Sequence, residues 1–327
     1  MIHRLTILFY LFTLSLLHAQ TSNRQPAAII LDTDIGPDYD DVGAMAVMHA
    51  LADRGEVRPL AVISSNKNEL VVPTIEIINT WFGRPELPTG APKGVGASNG
   101  ASQKWPEMLV EKYPHKIAKT SDAPDAIETY RRVLSTQPDQ SVTIVTVGFL
   151  TNLSNLLDSK PDKISLLSGT DLVKRKVKQL VSMAGAFPQG REYNVLVDSV
   201  ASEKVFSKWP TPIIFSGFEI GKEIKTGLKV IVNEKLDSPV KDVYAWAMPK
   251  SKDDAQGRMS WDQTAVLVAV RGVMPYFSLK RGRIIIEGGN NKWADDPMGP
   301  HAYLTEAMPF SQVTALIEGL MMWEGKR

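Results

Sequence analysis

Along the chain, short apolar runs alternate with segments in which apolar residues recur at helical spacing. The runs at 28–31, 57–64, 142–147, 179–183, 212–215 and 283–286 predict strands. Helices are predicted over 40–52, 71–82, 122–136, 152–157, 199–207, 260–271 and 312–322. In the first of these, Val42, Met45, Ala46 and Ala50 fall on one face and Gly55 follows as a stop. The alternation predicts an α/β fold, an open and mostly parallel sheet flanked by helices. Two polar or Gly/Pro-rich stretches, 89–121 and 288–300, read as loops over one edge of the sheet. A single domain over residues 27–327 is expected.

The amino-terminal residues depart from this pattern. His3 and Arg4 precede an apolar run at 5–17, which ends at His18-Ala19-Gln20 before polar residues. That is the layout of a secretory signal peptide over residues 1–20. The run is about a dozen residues, short of the roughly 20 that a membrane span needs. The expectation is an exported protein, periplasmic or secreted, with no membrane anchor in its mature form. Removal of the segment leaves His49, His115 and His301, too few for a His-rich metal site.

Composition narrows the chemistry. The 327 residues hold no cysteine, which excludes disulfide scaffolds, cysteine-ligated metals and thiol nucleophiles. Lys plus Arg number 37 against 36 Asp plus Glu, and a formal charge of +1 supplies no general attraction for a phosphate backbone. Nucleic acid is not an expected partner. The site must be built from oxygen and nitrogen groups.

The most informative stretch runs from Ile29 to Asp41, a buried-type strand, a loop carrying Asp32, Asp34, Asp38, Asp40 and Asp41, and then a helix. In open α/β sheets, ligands sit beyond the carboxyl ends of the strands, where this loop must lie. Carboxylates at such density repel one another unless solvated or gathered round a cation. Hard oxygen donors suit Ca²⁺, and Mg²⁺ less well. The plainer reading is that Asp40 and Asp41 favour the positive end of the helix dipole and the rest face solvent.

Asp32-x-Asp34-x-Gly36 followed by Asp40-Asp41 resembles the signature loop of the inosine–uridine-preferring nucleoside hydrolases. Three further blocks follow in that family's order. Val145 to Leu153 resembles the block whose strand-end carbonyl, Val147 here, ligates calcium. Met183 to Phe187, then Glu192-Tyr193-Asn194 and Asp198, resembles the segment whose Glu and Asn bind ribose hydroxyls, and Met183 is assigned to the substrate wall. Trp261-Asp262 with Thr264-Ala265-Val266 resembles the block whose Asp completes the metal's protein ligands. The resemblance implies a nucleoside-hydrolase-like fold with a Rossmann-like core and hydrolysis of an N-glycosidic bond. It implies Ca²⁺ held by Asp34, Asp41, Asp262 and the Val147 carbonyl, with Asp40 as the base for the attacking water. Asp32 is expected to orient the loop. A nucleoside is the implied small-molecule partner. A homo-oligomer is compatible with the sequence, which does not specify one.

The chain also departs from the family. Where the family has Pro after the second Asp and one residue before the paired Asp, this chain has Ile35 and the three residues Pro37-Asp38-Tyr39. Asp38 is either an extra ligand or a group outside the ligand set. The loop between Met183 and Glu192 is shorter than the family's, so the Asn for the sugar's far hydroxyl has no counterpart. Asn66, with Asn68 as its rival, stands where a ribose-contacting Asn is expected, although Asn-rich turns commonly end strands. Trp261 replaces the His of pyrimidine-tolerant members and resembles the Trp that stacks on purines, so purine nucleosides are the expected substrates. Its alternative is packing at a helix start. His301 is the one histidine in reach of a leaving base, though a surface loop His is the commoner case. Two other functions compete: an exported nucleoside- or ribose-binding protein without turnover, and a phosphohydrolase with an Asp nucleophile that would need Asp295-Asp296.

Overall fold

The structure is a computed structural model that describes residues 25–325. The signal segment expected at residues 1–20 lies outside the described residues. Twelve strands follow in chain order: β1 (Ala27–Thr33), β2 (Val57–Ser64), β3 (Thr89–Gly90), β4 (Val142–Thr146), β5 (Val177–Met183), β6 (Gln189–Gly190), β7 (Ile213–Ser216), β8 (Lys225–Thr226), β9 (Arg258–Met259), β10 (Phe277–Glu287), β11 (Asn290–Asp295) and β12 (His301–Glu306). Ten of them form one sheet in the order β3-β2-β1-β4-β5-β7-β12-β10-β11-β6, and β8 pairs with β9 apart from it. The run from β3 to β12 is parallel, and β10, β11 and β6 add an antiparallel edge. The expected open, mostly parallel sheet flanked by helices is what forms. Among the described residues no helix is long and apolar enough to cross a membrane.

The central strands are apolar on both faces because helices cover both. Ile29, Leu31, Val62, Val145 and Val181 pack into one core, and Ile30, Ala61, Ile63, Ile144 and Leu180 into the other, following the two-residue period of a strand. The helix Asp40–Asp53 corrects the one-faced pattern read from its sequence. Every residue from Asp40 to Leu51 is buried, since the helices Trp261–Arg271 and Phe310–Met321 pack against it as well as β2.

Two stretches differ from expectation. The segment 89–121 contains the helix Trp105–Lys112, anchored by the fully buried Trp105. The segment 288–300 contains β11, and β10 extends from Phe277 rather than beginning near 283. β10 escapes a hydrophobic reading because its solvated face carries Arg281, Arg283 and Glu287 and Lys280 is exposed on the other. Lys174, Arg175 and Lys176 form the last turn of the helix Gly169–Lys176.

Sheet order places the site. Strand order reverses on either side of the β1/β4 pair, and Asp32 lies opposite Ile63 and Thr146 in register. The loops leaving β1 and β4 therefore emerge side by side at a topological switch point. Gly148, just after β4, lets them touch: a Cβ there would lie 2.5 Å from the Asp34 backbone nitrogen and 2.7 Å from the Asp34 Cβ. Gly148→Ala is expected to destabilise the protein by about 1–3 kcal/mol, the usual range for overpacking, and to weaken any stabilisation by divalent cations. Urea unfolding with and without calcium measures both, and an unaltered midpoint and calcium response would show the approach is not tight.

Candidate active site

A cavity of about 530 Å³ opens beyond the carboxyl ends of β1, β4 and β5, within the roughly 300–1,000 Å³ range of small-molecule sites. Asp34, Asp38, Asp40, Val147, Met183, Glu192, Asn194, Trp261 and Asp262 line it, so nine of the residues singled out in the sequence meet there. Asp32, Asp41 and Asn66 are absent from its wall.

The β1 loop is organised from within. Thr33 Oγ1 donates to Asp41 Oδ1 and accepts the Ile35 N–H at 3.2 Å, which ties the end of β1 to the helix start. Asp32 turns to the opposite side, where its Oδ2 accepts from Tyr130 Oη at 2.8 Å and Asn152 Nδ2 at 3.0 Å. These bonds tie the end of β1 to the helices Ala126–Ser135 and Thr151–Asp158. Asn66 is saturated by the main chain: its Nδ2 donates to the carbonyls of Asp34 (2.9 Å) and Asn99 (2.8 Å), and its Oδ1 accepts the Asn68 and Asn99 N–H groups at 3.0 Å. In this structure it positions Asp34 and does not face the cavity.

The far wall is equally fixed. Glu192 caps the short helix Tyr193–Val197, accepting the Asn194 N–H at 2.8 Å and those of Gly185 and Val195 at 3.1 Å. Asn194 Nδ2 donates to the Val147 carbonyl at 2.9 Å and to the Met183 carbonyl at 3.2 Å. Trp261 stacks on Phe218 with ring centroids 5.2 Å apart and donates its Nε1–H to the Phe218 carbonyl at 2.8 Å. Across the mouth, Asn99 Nδ2 donates to Tyr193 Oη at 2.8 Å.

Sequence reasoning missed Arg258. Its Nη2 donates to Asp38 Oδ2 at 2.6 Å and Asp40 Oδ1 at 2.7 Å, and its Nε reaches Asp40 Oδ1 at 3.1 Å. It belongs to the two-residue strand β9, which no hydrophobic period marks, and no motif surrounds it. Gln103, Arg191, Leu196 and Phe218 also line the cavity without a sequence signal. The inserted Tyr39 is buried and donates to Asp254 Oδ2 at 2.7 Å, which pins the longer loop against the segment leading into β9.

Among the described residues no histidine lines the cavity. His301 opens β12, accepts the Ile284 N–H through Nδ1 at 3.1 Å, and is pushed down to about 4 by burial and the charge of Arg283. It is a sheet residue, not a loop residue. Buried His49 meets Asn79 Oδ1 at 2.9 Å and stacks on Phe82. Asp295 and Asp296 pair with Lys280 and Arg283 at the sheet edge, which leaves the phosphohydrolase reading without its second acidic motif.

Burial dominates the electrostatics. It raises the carboxyl groups of Asp34, Asp41 and Asp262 well above the ordinary Asp range, and the charges of their acidic neighbours raise them further. Asp40 is pushed up to about 7 by burial and by Asp38, against the opposing pull of Arg258. Burial also raises Glu192. Asp41 Oδ2 is buried with no hydrogen-bond partner, an orphaned anionic oxygen at the base of this cluster. Carboxylate oxygens of Asp38, Asp40 and Asp262 lie within 4.8 Å of one another. That trio is an all-oxygen donor set of the kind that fits a hard divalent cation, and the expected ligands Asp34 and Asp41 stand outside it.

Residues 29–297 match the model of the inosine-uridine preferring nucleoside hydrolases, and the chain belongs to that family. It is similar to the pyrimidine-specific ribonucleoside hydrolase RihA of Salmonella agona, with 28% identity over 211 residues. That match covers 59% of this chain and 60% of the relative, so the chain spans about three fifths of the length of the curated relatives it matches. The fold is similar to that of an inosine-uridine preferring nucleoside hydrolase from Bacillus anthracis, at TM-score 0.66 and 16% identity over 89% of this chain and 99% of that one. It is likewise similar to a purine-preferring ribonucleoside hydrolase from Gardnerella vaginalis, at TM-score 0.66 and 16% identity over 90% and 99% of the two chains.

These shifts fix a sign for stability against pH. Asp40 rises from 3.8 to about 7 on folding, and Asp34, Asp41 and Asp262 move the same way. Asp38, Glu192 and Arg258 also face this cluster. Between those values the folded, cation-free chain binds more protons than the unfolded one, so its stability falls as pH rises. Cation-free protein is expected to melt at a lower temperature at about pH 8 than at about pH 5.5, and a divalent cation should flatten or reverse the slope. Melting curves with and without chelator test this, and a cation-free protein that gains stability towards pH 8 would contradict it.

Proposed function

We propose that the protein is a Ca²⁺-dependent N-ribohydrolase that cleaves the N-glycosidic bond of nucleosides, purine nucleosides in preference, to ribose and free base. The observation that carries this reading is the buried carboxylate cluster, with its orphaned Asp41 oxygen, under a nucleoside-sized cavity walled by Trp261. Asp34, Asp41, Asp262 and the Val147 carbonyl would hold the ion. When bound, calcium favours loss of a proton from water and anchors the ribose 2′ and 3′ hydroxyls.

The residues then divide the work. Asp40 takes the proton of the attacking water at Oδ2. Its Oδ1 is held by Arg258, and Oδ2 has only the longer contacts with the Trp261 and Asp262 N–H groups at 3.2 and 3.4 Å. Glu192 and Asn194 hold the sugar against the Met183 wall. The N-glycosidic bond breaks through an oxocarbenium-like sugar, and its electron pair leaves with the base. Trp261 receives the flat base against its indole, and among the described residues no histidine lines the cavity to act as its acid. That combination favours purines, which accept a ring proton from solvent. The leader-like run at 5–17 supports export, and such a protein would meet nucleosides outside the cytoplasm.

Release of base from inosine, guanosine and uridine tests the reading directly. Inosine or guanosine should exceed uridine, while calcium uptake without turnover on any nucleoside would leave a binding protein instead. Asp40→Asn is expected to keep calcium binding and lower turnover by about 10²–10⁴, the range of a positioned general base. Parallel loss of metal and activity would place the base elsewhere. Trp261→Ala should cost purine nucleosides more than a nitrophenyl riboside, by the roughly 0.5–1.5 kcal/mol of an aromatic stack. An equal effect on both would return Trp261 to a packing role.

A further inference from the structure

Asp38, Asp40 and Asp262 bring carboxylate oxygens within 4.8 Å of one another, close enough to gather round an ion of their own. That trio differs from the Asp34, Asp41 and Asp262 set, and the two share only Asp262. Among the described residues it is this trio, and not Asp34, Asp41 and Asp262 together, whose carboxylate oxygens lie close enough to share an ion, so the trio competes with the expected ligand set. Arg258 already occupies the first set. Its Nη2 bridges Asp38 at 2.6 Å and Asp40 at 2.7 Å, and its Nε adds a second bond to the same Asp40 oxygen, charge-assisted bonds of the strong kind.

The guanidinium has little room to swing away. Only 12% of the side chain is exposed. The guanidinium lies 5.0 Å from the Tyr39 ring and 5.1 Å from the Trp261 ring, one on the inserted loop and the other on the base wall. Its backbone is fixed by pairing of β9 with β8 at Thr226.

Resting on the reading that this pocket holds Ca²⁺, we propose that Arg258 is a positioning residue that acts as a built-in counter-cation. It keeps Asp38 and Asp40 out of the metal's coordination, so that the pocket takes a single divalent ion and Asp40 stays free for the substrate's water. The inserted Asp38 is therefore the partner of Arg258 and not a metal ligand.

Calcium titration calorimetry of wild type, Arg258→Gln, Arg258→Lys and Asp38→Asn tests this without turnover, with kcat and KM measured in parallel. Wild type and Arg258→Lys should take up one ion per chain. Arg258→Gln should gain a second ion or bind the first at least about tenfold more tightly, while its kcat falls about tenfold or more with KM changed far less. A merely structural arginine would weaken calcium binding when removed. Asp38→Asn, at a half-exposed position, keeps the question open to refutation if Arg258→Gln does not fold. Its calcium affinity should stay within about threefold of wild type, and a hundredfold loss would make Asp38 a ligand. Unaltered calcium binding by Arg258→Gln beside normal uptake by wild type overturns this inference alone. Absence of calcium uptake by wild type overturns both it and the calcium reading.

Discussion

Mutual repulsion among buried carboxylates is the constraint around which this molecule is arranged. Asp34, Asp40, Asp41 and Asp262 are all nearly inaccessible to solvent; burial raises the cost of ionising each, and acidic neighbours raise it further. Three features offset that cost before any ligand arrives. Arg258 places a positive charge between Asp38 and Asp40. Asp40 and Asp41 stand in the first turn of one helix and Asp262 in the first turn of another, where helix dipoles favour negative charge. Thr33 bonds one oxygen of Asp41. The other oxygen remains unsatisfied, and a cation is the natural complement to it.

The same constraint explains why so many polar side chains near the cavity are bonded to main chain. Asn66 fixes the loop that carries Asp34, Asn194 ties β4 to β5 through the Val147 and Met183 carbonyls, and Glu192 caps its own helix. Fixed dipoles and oriented donors cost no reorganisation when charge develops in a reaction. A cluster this crowded would otherwise relax by spreading apart. The rigid wall keeps the charges close enough to act together.

What the sequence made legible follows from the range of the interactions involved. The parallel strands were readable because helices bury both of their faces, as in β1 and β2. The β1 loop was readable because its acids are close in sequence. β10 and β11 were obscured because their solvated faces carry the same charged residues as loops do, and His301 was misplaced with them. Arg258 was invisible for a different reason: its partners Asp38 and Asp40 lie 220 and 218 residues away. Asn66 was placed at the right strand end, but its hydrogen bonds were beyond sequence reasoning because they go to the backbone of a loop more than thirty residues later.

The antiparallel edge of the sheet has its own bearing on how the protein survives at high concentration. β6 is only two residues long and covers β11 at Asn291 and Lys292, and the carbonyl of Pro188 just before it accepts the Trp293 N–H of β11. An open strand edge is where chains add to one another and aggregate. Here the strip that blunts the edge is the same segment that, two residues on, delivers Glu192 to the cavity. Peeling β6 away to expose β11 would disturb the segment that holds Glu192, so protection of this edge and the shape of the cavity wall depend on one short piece of chain.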